Sequence, residues 1–318
     1  MKKNNSTVLL VGSGGMAVEY AKILKALQVS MLVAGRGAKS AKIFEKETGI
    51  NVLTNGVENV IKGNKERYQK AIVAVDGGQL GFVCKKLLQT GIKSILLEKP
   101  GGLDFKEINQ LDRMTKKYNA IVYVAYNRRH YVSVQKVREI IRGDGGILSF
   151  NFEFTEWSHV IEKLDFSADI KEKWFLHNST HLVDLAFFLA GQPVEISSCK
   201  SGKLSWHPSG AIYTGSGKTE QGSLFSYQAN WVGPGRWGLE IITRKRRLIL
   251  RPLEELREQK IGSNEVTVLT IDDAIDKKFK PGLYRQVKNF LDNQTEDFCT
   301  IHHQSEASII YKKIAGNG

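Results

Sequence analysis

The chain has 318 residues, enough for two domains that each bury a hydrophobic core. Its hydrophobic fraction of 42% and charged fraction of 25% are typical of a soluble globular protein, and no apolar stretch approaches the ~20 residues of a membrane-spanning helix. The formal net charge of +13 comes from dispersed basic residues, with one cluster, RKRR at 244–247, placed between apolar runs as a hairpin turn would be. We therefore expect a solvated basic face that helps attract phosphorylated ligands, and neither nucleic-acid nor membrane binding.

The cysteines and the first residues bear on cellular location. Cys84, Cys199 and Cys299 are far apart, odd in number and without a CxxC pair, which is typical of reduced thiols. The apolar run near the start is short and leads into glycines instead of a cleavage site, so we expect no signal peptide. Both features predict a cytoplasmic protein.

Short apolar runs alternate with helical patterns in the first third of the chain. Stretches such as AVEYAKILKALQ and LGFVCKKLLQT carry apolar residues at helical spacing. Continuous apolar strands separated by helices indicate a parallel sheet covered on both faces, so an α/β domain is predicted for residues 1–126. The predicted strands are 7–12, 31–35, 51–54, 70–75, 93–98 and 120–126.

A glycine-rich segment follows the first predicted strand and opens a helix. In VLLVGSGGMA, Gly12 permits a tight turn, Gly14 lets the backbone approach a pyrophosphate, and Ala17 lets helix and strand pack closely. This G-x-G-x-x-A order, at the first strand of an alternating chain, predicts dinucleotide binding over a plain glycine turn. The predicted cofactor-binding residues of the loop are Gly12, Ser13, Gly14, Gly15 and Met16.

The end of the second predicted strand indicates which dinucleotide is bound. Enzymes that use NAD normally carry an acidic residue there, whereas this chain has Gly35 and Arg36. A guanidinium can pair with a 2′-phosphate that a carboxylate would repel, so NADP is predicted, with NAD as the alternative. Lys39 and Ser40 either add to this pocket or form the exposed first turn of a helix.

The fifth predicted strand ends in the sequence EKP. Ligands of doubly wound sheets bind beyond the carboxyl ends of the strands, which is where Glu98 and Lys99 fall. Pro100 keeps Lys99 extended, and a lysine in a dry cleft can exchange a proton with a substrate. We predict that Lys99 is catalytic and that Glu98 contacts the cofactor; the alternative is a charged turn at a strand end.

The pattern changes after about residue 145. ILSFNFEFTEW alternates apolar and polar residues, as a half-exposed antiparallel strand does. An α+β domain dominated by an antiparallel sheet is therefore predicted for residues 127–318, and its last helices, YRQVKNFLDN and SEASIIYKKIA, could pack back on the first domain. The other predicted strands are 194–206, 211–214, 222–232, 237–243, 247–251 and 265–270, with a helix at 180–190.

Two histidines precede that helix in the segment HNSTH. A zinc helix of the HExxH type needs both histidines on one face and a glutamate, but Asn178 follows His177 here. Ser179 or Thr180 is a better N-cap than an interior residue, so we expect the helix to begin between His177 and His181. No metal site is predicted.

His181 would then lie in the first turn of the helix. The positive end of the helix dipole favours a neutral imidazole there. Asp184, three residues further on, lies on the same side and could orient the ring. A buried packing histidine is the alternative.

Four segments together resemble a known family. The loop VGSGGMA, the tripeptide EKP at 98–100, YNRRH at 126–130 and HNSTHLVDLAFFLAG at 177–191 resemble the glucose-fructose oxidoreductase, inositol dehydrogenase and MocA (Gfo/Idh/MocA) family over the first 200 residues. The resemblance implies an N-terminal Rossmann domain and a C-terminal domain with an open, mainly antiparallel sheet, often used to oligomerise. It also implies hydride transfer to or from a hydroxyl or keto carbon of a sugar, a cyclitol or a derivative.

The resemblance also implies roles for single residues. Lys99 corresponds to the substrate-binding and proton-transfer lysine of the family, and the peptide bond before Pro100 is often cis in relatives. His181 corresponds to the histidine that orients or protonates the reacting oxygen. The residues that correspond to those near cofactor and substrate are Asn127, Arg128 and Arg129, with Asn127 assigned to the cofactor and Arg128 to the substrate.

The chain departs from the family at two places. His177 stands where many relatives carry an aspartate, which suggests a changed proton relay or an anionic substrate. AVDGGQLGF replaces the more usual turn after the fourth strand, where the backbone around Asp76 is still expected to line the nicotinamide. Further substrate-binding candidates are Asn178 and two aromatic residues that could stack on a sugar or pack in the core, Tyr126 and Trp174.

The resulting expectation is an NADP(H)-dependent oxidoreductase that acts on a sugar-like substrate, with anionic and nucleotide-linked sugars among the candidates, as a homodimer or homotetramer. Two alternatives stay open. One is a redox-neutral sugar-converting enzyme with tightly bound nicotinamide. The other is a non-catalytic dinucleotide sensor.

Overall fold

The computed structural model describes residues 7–54, 56–61 and 68–316. The chain divides into two compact units, one of residues 1–126 with 283–306 and one of residues 127–282 with 307–318. The strands, in chain order, are β1 Val8–Val11, β2 Met31–Ala34, β3 Val52–Leu53, β4 Lys70–Val73, β5 Ser94–Leu97, β6 Ile121–Val124, β7 Ser149–Glu153, β8 Pro193–Ser201, β9 Ile212–Thr219, β10 Leu224–Asn230, β11 Gly238–Ile242, β12 Arg246–Leu250, β13 Arg257–Lys260, β14 Thr267–Val268 and β15 Cys299–Thr300.

The α-helices are mostly short. Among the residues that the structure describes, none is both long enough and apolar enough to cross a bilayer. In chain order they are α1 Gly15–Ala26, α2 Ala38–Thr48, α3 Gly56–Ile61, α4 Leu80–Thr90, α5 Phe105–Tyr118, α6 Val132–Gly143, α7 Ser158–Ile161, α8 Ala168–Glu172, α9 Thr180–Ala190, α10 Ala274–Lys278, α11 Leu283–Asp292 and α12 Ile301–Ile314.

The first unit contains a seven-stranded sheet in the order β15-β6-β5-β4-β1-β2-β3. Strands β1 to β6 are parallel, and β15 pairs with β6 in the antiparallel sense. This order of the six parallel strands is that of a doubly wound dinucleotide-binding fold. The six predicted strands are confirmed, and their apolar character follows from burial: Leu9, Ile72 and Leu96 are 0% exposed.

The second unit contains an eight-stranded sheet in the order β14-β13-β12-β11-β7-β10-β9-β8. The predicted α+β architecture with a mainly antiparallel sheet is confirmed. Its central strand β7 is antiparallel to β11, as expected, but parallel to β10. The antiparallel strand predicted here therefore pairs antiparallel on one side only, because alternation of side chains reports a half-buried strand and not the direction of each neighbour.

One face of this second sheet is covered by α9. Along β10 every second side chain is buried, including Phe225 and Tyr227. Phe187 of α9 packs edge-on against Phe150 and Phe152 of β7, with ring centroids 6.1 and 5.8 Å apart. This packing fixes the helix that follows the HNSTH segment on the sheet, which is why almost all of α9 is buried.

The basic segment RKRR forms the turn that its position predicted. Residues 243–245 connect β11 to β12, and Ile242 pairs with Arg247 across the hairpin. Arg246, the first residue of β12, binds two buried carboxylates. Its Nε donates to Asp144 Oδ2 at 2.9 Å, and its Nη1 donates to Glu258 Oε2 at 2.7 Å. Arg246 therefore has a structural role within the basic cluster.

The end of α11 is held in the first unit by Lys70 at the start of β4. The Lys70 Nζ donates to Leu291 O at 3.0 Å and to Asn293 Oδ1 at 2.8 Å, and it also contacts Phe290 O. Burial lowers the pKa of Lys70 from its usual value. An ammonium at a helix C-terminus satisfies carbonyl groups that lack a helical partner.

Candidate functional site

The glycine loop after β1 has the geometry that its sequence predicts. Gly12 has φ of +126°, and a Cβ there would lie 2.1 Å from the carbonyl oxygen of Ala74, so only glycine fits. Gly14 precedes α1 in an extended conformation, and a Cβ built on Gly14 or Gly15 would meet no described atom within 4 Å beyond the adjacent residues and the nearby α1 backbone. Met16 is the second residue of α1. The loop therefore opens at a helix N-terminus, where N–H groups bind phosphates.

Substitution of Gly12 and of Gly14 should have different effects. Gly12→Ala should destabilise the first unit by about 1–3 kcal/mol, because the backbone is strained for alanine and the added methyl overlaps a carbonyl. Gly14→Ala should fold like the wild type and bind a dinucleotide on the order of tenfold more weakly, because its methyl enters the space that a pyrophosphate needs. Thermal unfolding and cofactor titration measure the two effects; equal losses of stability would contradict this assignment.

The turn after β2 lies against the glycine loop. Ser13 is 9% exposed, and its Oγ lies 2.9 Å from Ser40 Oγ in the first turn of α2. A Cβ on Gly35 would meet Ser13 Oγ at 3.1 Å, so the two turns are in contact. Arg36 follows directly and is exposed, as is Lys39. Of Lys39 and Ser40, the two residues that could have added to the cofactor pocket, Ser40 contacts the glycine loop through Ser13.

The carboxylate of Glu98 is held by the first unit. Tyr20 donates its hydroxyl to Glu98 Oε1 at 2.7 Å, and the backbone N–H of Lys99 donates to Glu98 Oε2 at 3.3 Å. Burial, followed by the charge of Glu98, raises the pKa of Tyr20 well above its usual value, so the phenol remains a donor. Glu98 thus fixes the backbone at Lys99, in addition to any contact with cofactor.

The turn beyond Lys99 is supported from the other end of the chain. The Lys99–Pro100 peptide bond is cis, as the family resemblance implied. The Nε2 of Gln304, which is 0% exposed, donates to Pro100 O at 2.9 Å and to the Tyr126 hydroxyl at 2.8 Å. Tyr126 is 1% exposed. These contacts favour a packing role for Tyr126 over the stacking role that its sequence position allowed.

Asp76 follows β4 and is exposed. Its Oδ1 accepts a hydrogen bond from the Gly78 N–H at 2.9 Å and so caps the short 3₁₀ turn Gly77–Gln79. The carboxylate therefore shapes the backbone at the carboxyl end of the sheet, and the expectation that this backbone lines the nicotinamide stays a prediction.

In the second unit, Asn127 begins the 3₁₀ turn Asn127–His130. The Nδ2 of Asn127 donates to Pro281 O at 2.9 Å. The backbone carbonyl oxygen of Asn127 would lie 2.2 Å from a Cβ built on Gly282. The side-chain amide that was assigned to the cofactor is thus partly used to hold the loop that ends at Gly282.

Arg129 and Asp184 form a buried, two-point ion pair. Arg129 Nε donates to Asp184 Oδ2 at 2.8 Å, and Nη2 donates to Oδ1 at 2.6 Å. The two residues are 9% and 6% exposed. Asp184 was expected to orient His181, but both of its oxygens serve Arg129, which ties α9 to the turn after β6.

The α-helix begins at Thr180, between His177 and His181 as expected, but the N-cap hydrogen bond expected there is not formed. A π-helical segment, Phe175–Ser179, runs directly into α9, so both histidines lie on continuous helical backbone. Ser179 has helical dihedrals (φ −64°, ψ −27°) and no N-cap hydrogen bond to a described backbone group. The helix extends because Phe175 and Leu176 are buried at 4% each and lengthen its apolar face.

Both histidines are buried, His177 at 6% and His181 at 5% exposure. The His181 ring centroid lies 6.1 Å from that of Trp237. His181 is the second residue of α9, but helical backbone precedes it, so the dipole argument for a neutral imidazole at a helix N-terminus no longer applies. Within residues 7–54, 56–61 and 68–316, no three His, Cys, Asp or Glu side chains are grouped as a metal site would require.

The π-helical segment is bound to Glu156, a residue that the sequence interpretation missed. Glu156 is 1% exposed, and its Oε1 and Oε2 lie 2.9 and 3.1 Å from Asn178 Nδ2. Ser179 Oγ donates to Oε1 at 2.8 Å. Burial raises the pKa of Glu156 to about 7, against the opposing effect of the bonds from Ser179 and Asn178. In the sequence, Glu156 was one polar residue of an alternating strand, and no local signal distinguished it.

Two guanidinium groups share an aromatic ring beside Glu156. The Cζ of Arg128 lies 4.6 Å from the ring centroid of Trp237, and that of Arg236 lies 5.4 Å away. Burial lowers the pKa of Arg128 from its usual value. Arg236 is exposed, and its Nη1 is 3.8 Å from Glu156 Oε2. The Trp237 ring is itself 5% exposed, so the arrangement places positive charge over a buried ring, with the exposed Arg236 side chain able to meet an anionic ligand.

Trp174 belongs to an aromatic cluster in the second unit. It is 7% exposed, with ring centroids 5.6 Å from Phe166 and 6.2 Å from Trp206. Trp206 in turn stacks on Trp231 at 6.0 Å. As with Tyr126, these contacts favour packing over stacking on a sugar.

Comparisons with known proteins bear on both units. Residues 6–126 match a family model described as the GFO_IDH_MocA oxidoreductase family with an NAD-binding Rossmann fold. A search of curated proteins finds no match.

Several solved structures share the fold over nearly the whole chain. UDP-N-acetylglucosamine 3-dehydrogenase from Acidithiobacillus ferrooxidans is 16% identical, with 98% of this chain and 97% of that chain covered and a TM-score of 0.75. A levoglucosan dehydrogenase in complex with NADH and levoglucosan is 16% identical, with coverage of 98% and 96% and a TM-score of 0.76. A putative NADPH-dependent oxidoreductase from Desulfitobacterium hafniense is 14% identical, with coverage of 98% and 95% and a TM-score of 0.80.

Proposed function

We propose that this chain uses NADP(H) to oxidise or reduce a hydroxyl or keto carbon of a sugar-like substrate. The premise is that it belongs, through its residues 6–126, to the Gfo/Idh/MocA family of NAD-binding oxidoreductases. The observation that carries the choice of NADP is the position of Arg36. It follows Gly35, which contacts the glycine loop through Ser13, and it is exposed. A guanidinium beside the phosphate loop can form charge-assisted bonds to a 2′-phosphate.

The test is a titration of the purified protein with NADPH and NADH. The wild type should bind NADPH more tightly, and Arg36→Glu should weaken NADPH binding by roughly ten- to a hundredfold, because charge-assisted hydrogen bonds contribute about 1.5–3 kcal/mol. NADH binding should change little. Lys46→Glu, the same charge change at an exposed position near the end of α2, is the matched control. Tighter binding of NADH than NADPH by the wild type would refute the NADP assignment.

When bound, the nicotinamide supplies or accepts the hydride. We assign the remaining chemistry to side chains of the chain. Lys99 exchanges the proton of the substrate hydroxyl, and His181 hydrogen-bonds the reacting oxygen. His177 replaces the aspartate of many relatives and binds the substrate near that oxygen. Support comes from the backbone hold on Lys99 by Glu98 and from the burial of both imidazoles.

A negatively charged or nucleotide-linked sugar is the proposed substrate class. The cluster of Arg128, Arg236 and Trp237 supports it, because guanidinium groups bind phosphate and the Arg236 side chain is exposed. The solved structure of UDP-N-acetylglucosamine 3-dehydrogenase has the same fold. Asn178, which is partly exposed, is the proposed polar contact for the sugar.

The same titration separates the alternatives. Nicotinamide that copurifies and does not exchange with added NADPH would favour the redox-neutral class. Reversible binding without turnover of any sugar would favour a dinucleotide sensor. We further propose that the protein acts in the cytoplasm as a homodimer or homotetramer.

A further inference from the structure

We propose that Glu156 is a positioning residue for Asn178: its carboxylate holds the amide nitrogen, so that the carbonyl oxygen of Asn178 is the group offered to the substrate. The inference rests on the proposed function, which assigns Asn178 to the substrate. It concerns a residue outside the motifs that carry the family resemblance. The contact geometry carries it, since one amide nitrogen lies 2.9 and 3.1 Å from the two oxygens of Glu156.

The bonds in this network fix the direction of the Asn178 amide. An ionised carboxylate only accepts hydrogen bonds, so the group of Asn178 that faces Glu156 must be its NH₂. Ser179 Oγ occupies Oε1 as a second donor at 2.8 Å. The carbonyl oxygen of Asn178 then lies on the other side of a partly exposed side chain, where it can accept a hydrogen bond from a hydroxyl or an N–H of the substrate.

Protonation of Glu156 would reverse this arrangement. A protonated carboxyl group donates one hydrogen bond, and a rotated Asn178 can accept it through its carbonyl oxygen. The amide NH₂ would then be presented in place of the oxygen. A site that selects a substrate donor would become one that selects an acceptor, without any movement of the backbone.

The charges around Glu156 determine when this occurs. Arg236, in the loop after β10, lies 3.8 Å away and favours the ionised form, as does the charge of Arg128 in the turn after β6. Asn178 and Ser179 favour the same form through hydrogen bonds, whereas burial opposes it and has the larger effect. The pKa of about 7 means that the ionised form dominates above neutrality and the protonated form below it.

The test follows the amide itself and needs neither cofactor nor substrate. In protein labelled with ¹⁵N-asparagine, the side-chain NH₂ signals of Asn178, assigned from their loss in Asn178→Ser, should shift with pH with a midpoint near the Glu156 pKa of about 7. The shift should disappear in Glu156→Gln, which cannot ionise. It should persist in Glu258→Gln, a matched change at a carboxylate that is 5% exposed and bonded to Arg246.

Retention of the shift in Glu156→Gln, or its absence in the wild type, would overturn the proposal. Glu156→Asp should restore a pH-dependent shift, with a changed midpoint, and it serves as the second variant if Glu156→Gln does not fold. Failure of the proposed function is seen separately, in the NADPH titration. A shift of Asn178 in a protein that binds no dinucleotide would refute the oxidoreductase assignment and leave the coupling of Glu156 to Asn178 intact.

Discussion

Lys99→Ala is expected to lower kcat for the sugar substrate by roughly 10²- to 10⁴-fold, the usual contribution of a general acid or base. The turn should keep its conformation, because Glu98 bonds the Lys99 N–H and Gln304 bonds Pro100 O, and both backbone groups remain in the variant. NADPH affinity should therefore stay near that of the wild type. Steady-state kinetics and cofactor titration measure the two quantities on the same preparation.

Two further variants make the Lys99 experiment specific. Lys99→Arg keeps the positive charge but cannot release a proton near neutral pH, so it should not restore turnover. Lys106→Ala removes an exposed lysine from α5 and should behave as the wild type. Wild-type turnover by Lys99→Ala would show that another group moves the proton, and rescue by Lys99→Arg would show that only charge is needed.

Breaking the Arg129–Asp184 pair is expected to destabilise the second unit by about 3–5 kcal/mol, because a partner removed from a buried ion pair leaves an uncompensated charge. In Asp184→Asn, the guanidinium of Arg129 stays buried and loses its two-point acceptor. The double variant Arg129→Met with Asp184→Leu should recover much of the loss, since it leaves no buried charge. Calorimetry, which resolves separate unfolding transitions, is the suitable measurement.

An exposed ion pair provides the control for this second prediction. Lys288 and Asp292 are 2.7 Å apart on α11, with side chains 50% and 46% exposed. Lys288→Met should therefore change stability by no more than about 1 kcal/mol. If Asp184→Asn costs as little as Lys288→Met, the buried pair does not hold α9 to the turn after β6.

Local sequence rules were sufficient for the first unit. Its strands are continuous apolar runs because the sheet is covered on both faces. Position 12, directly after β1, is a glycine because any Cβ there would overlap Ala74 O. Lys99 is placed by the same logic, since the carboxyl ends of parallel strands meet at one edge of the sheet. In each case a pattern of neighbouring residues is enough to recognise the feature, even where the atom that requires it, such as Ala74 O beside Gly12, is distant in sequence.

In the second unit, the roles of Ser179 and Asp184 were decided by hydrogen-bond partners that are distant in sequence. Ser179 was a reasonable N-cap by its chemistry, but Glu156, 23 positions away, takes its hydroxyl, and burial of Phe175 extends the helix past it. Asp184 was a reasonable partner for a histidine three residues away, but Arg129, 55 positions away, binds both of its oxygens.

The sequence by itself thus determined the parallel sheet, the mainly antiparallel character of the second sheet, the geometry of the glycine loop and, through the family resemblance, the cis-proline turn, whereas the roles of the site residues stay predictions. Only the tertiary structure decided the π-helical backbone under the two histidines, the parallel pairing of β7 with β10 and the role of Glu156. The reason is physical: periodicity and glycine chemistry act over neighbouring residues, whereas the partner of a buried polar group is chosen by packing between elements distant in sequence.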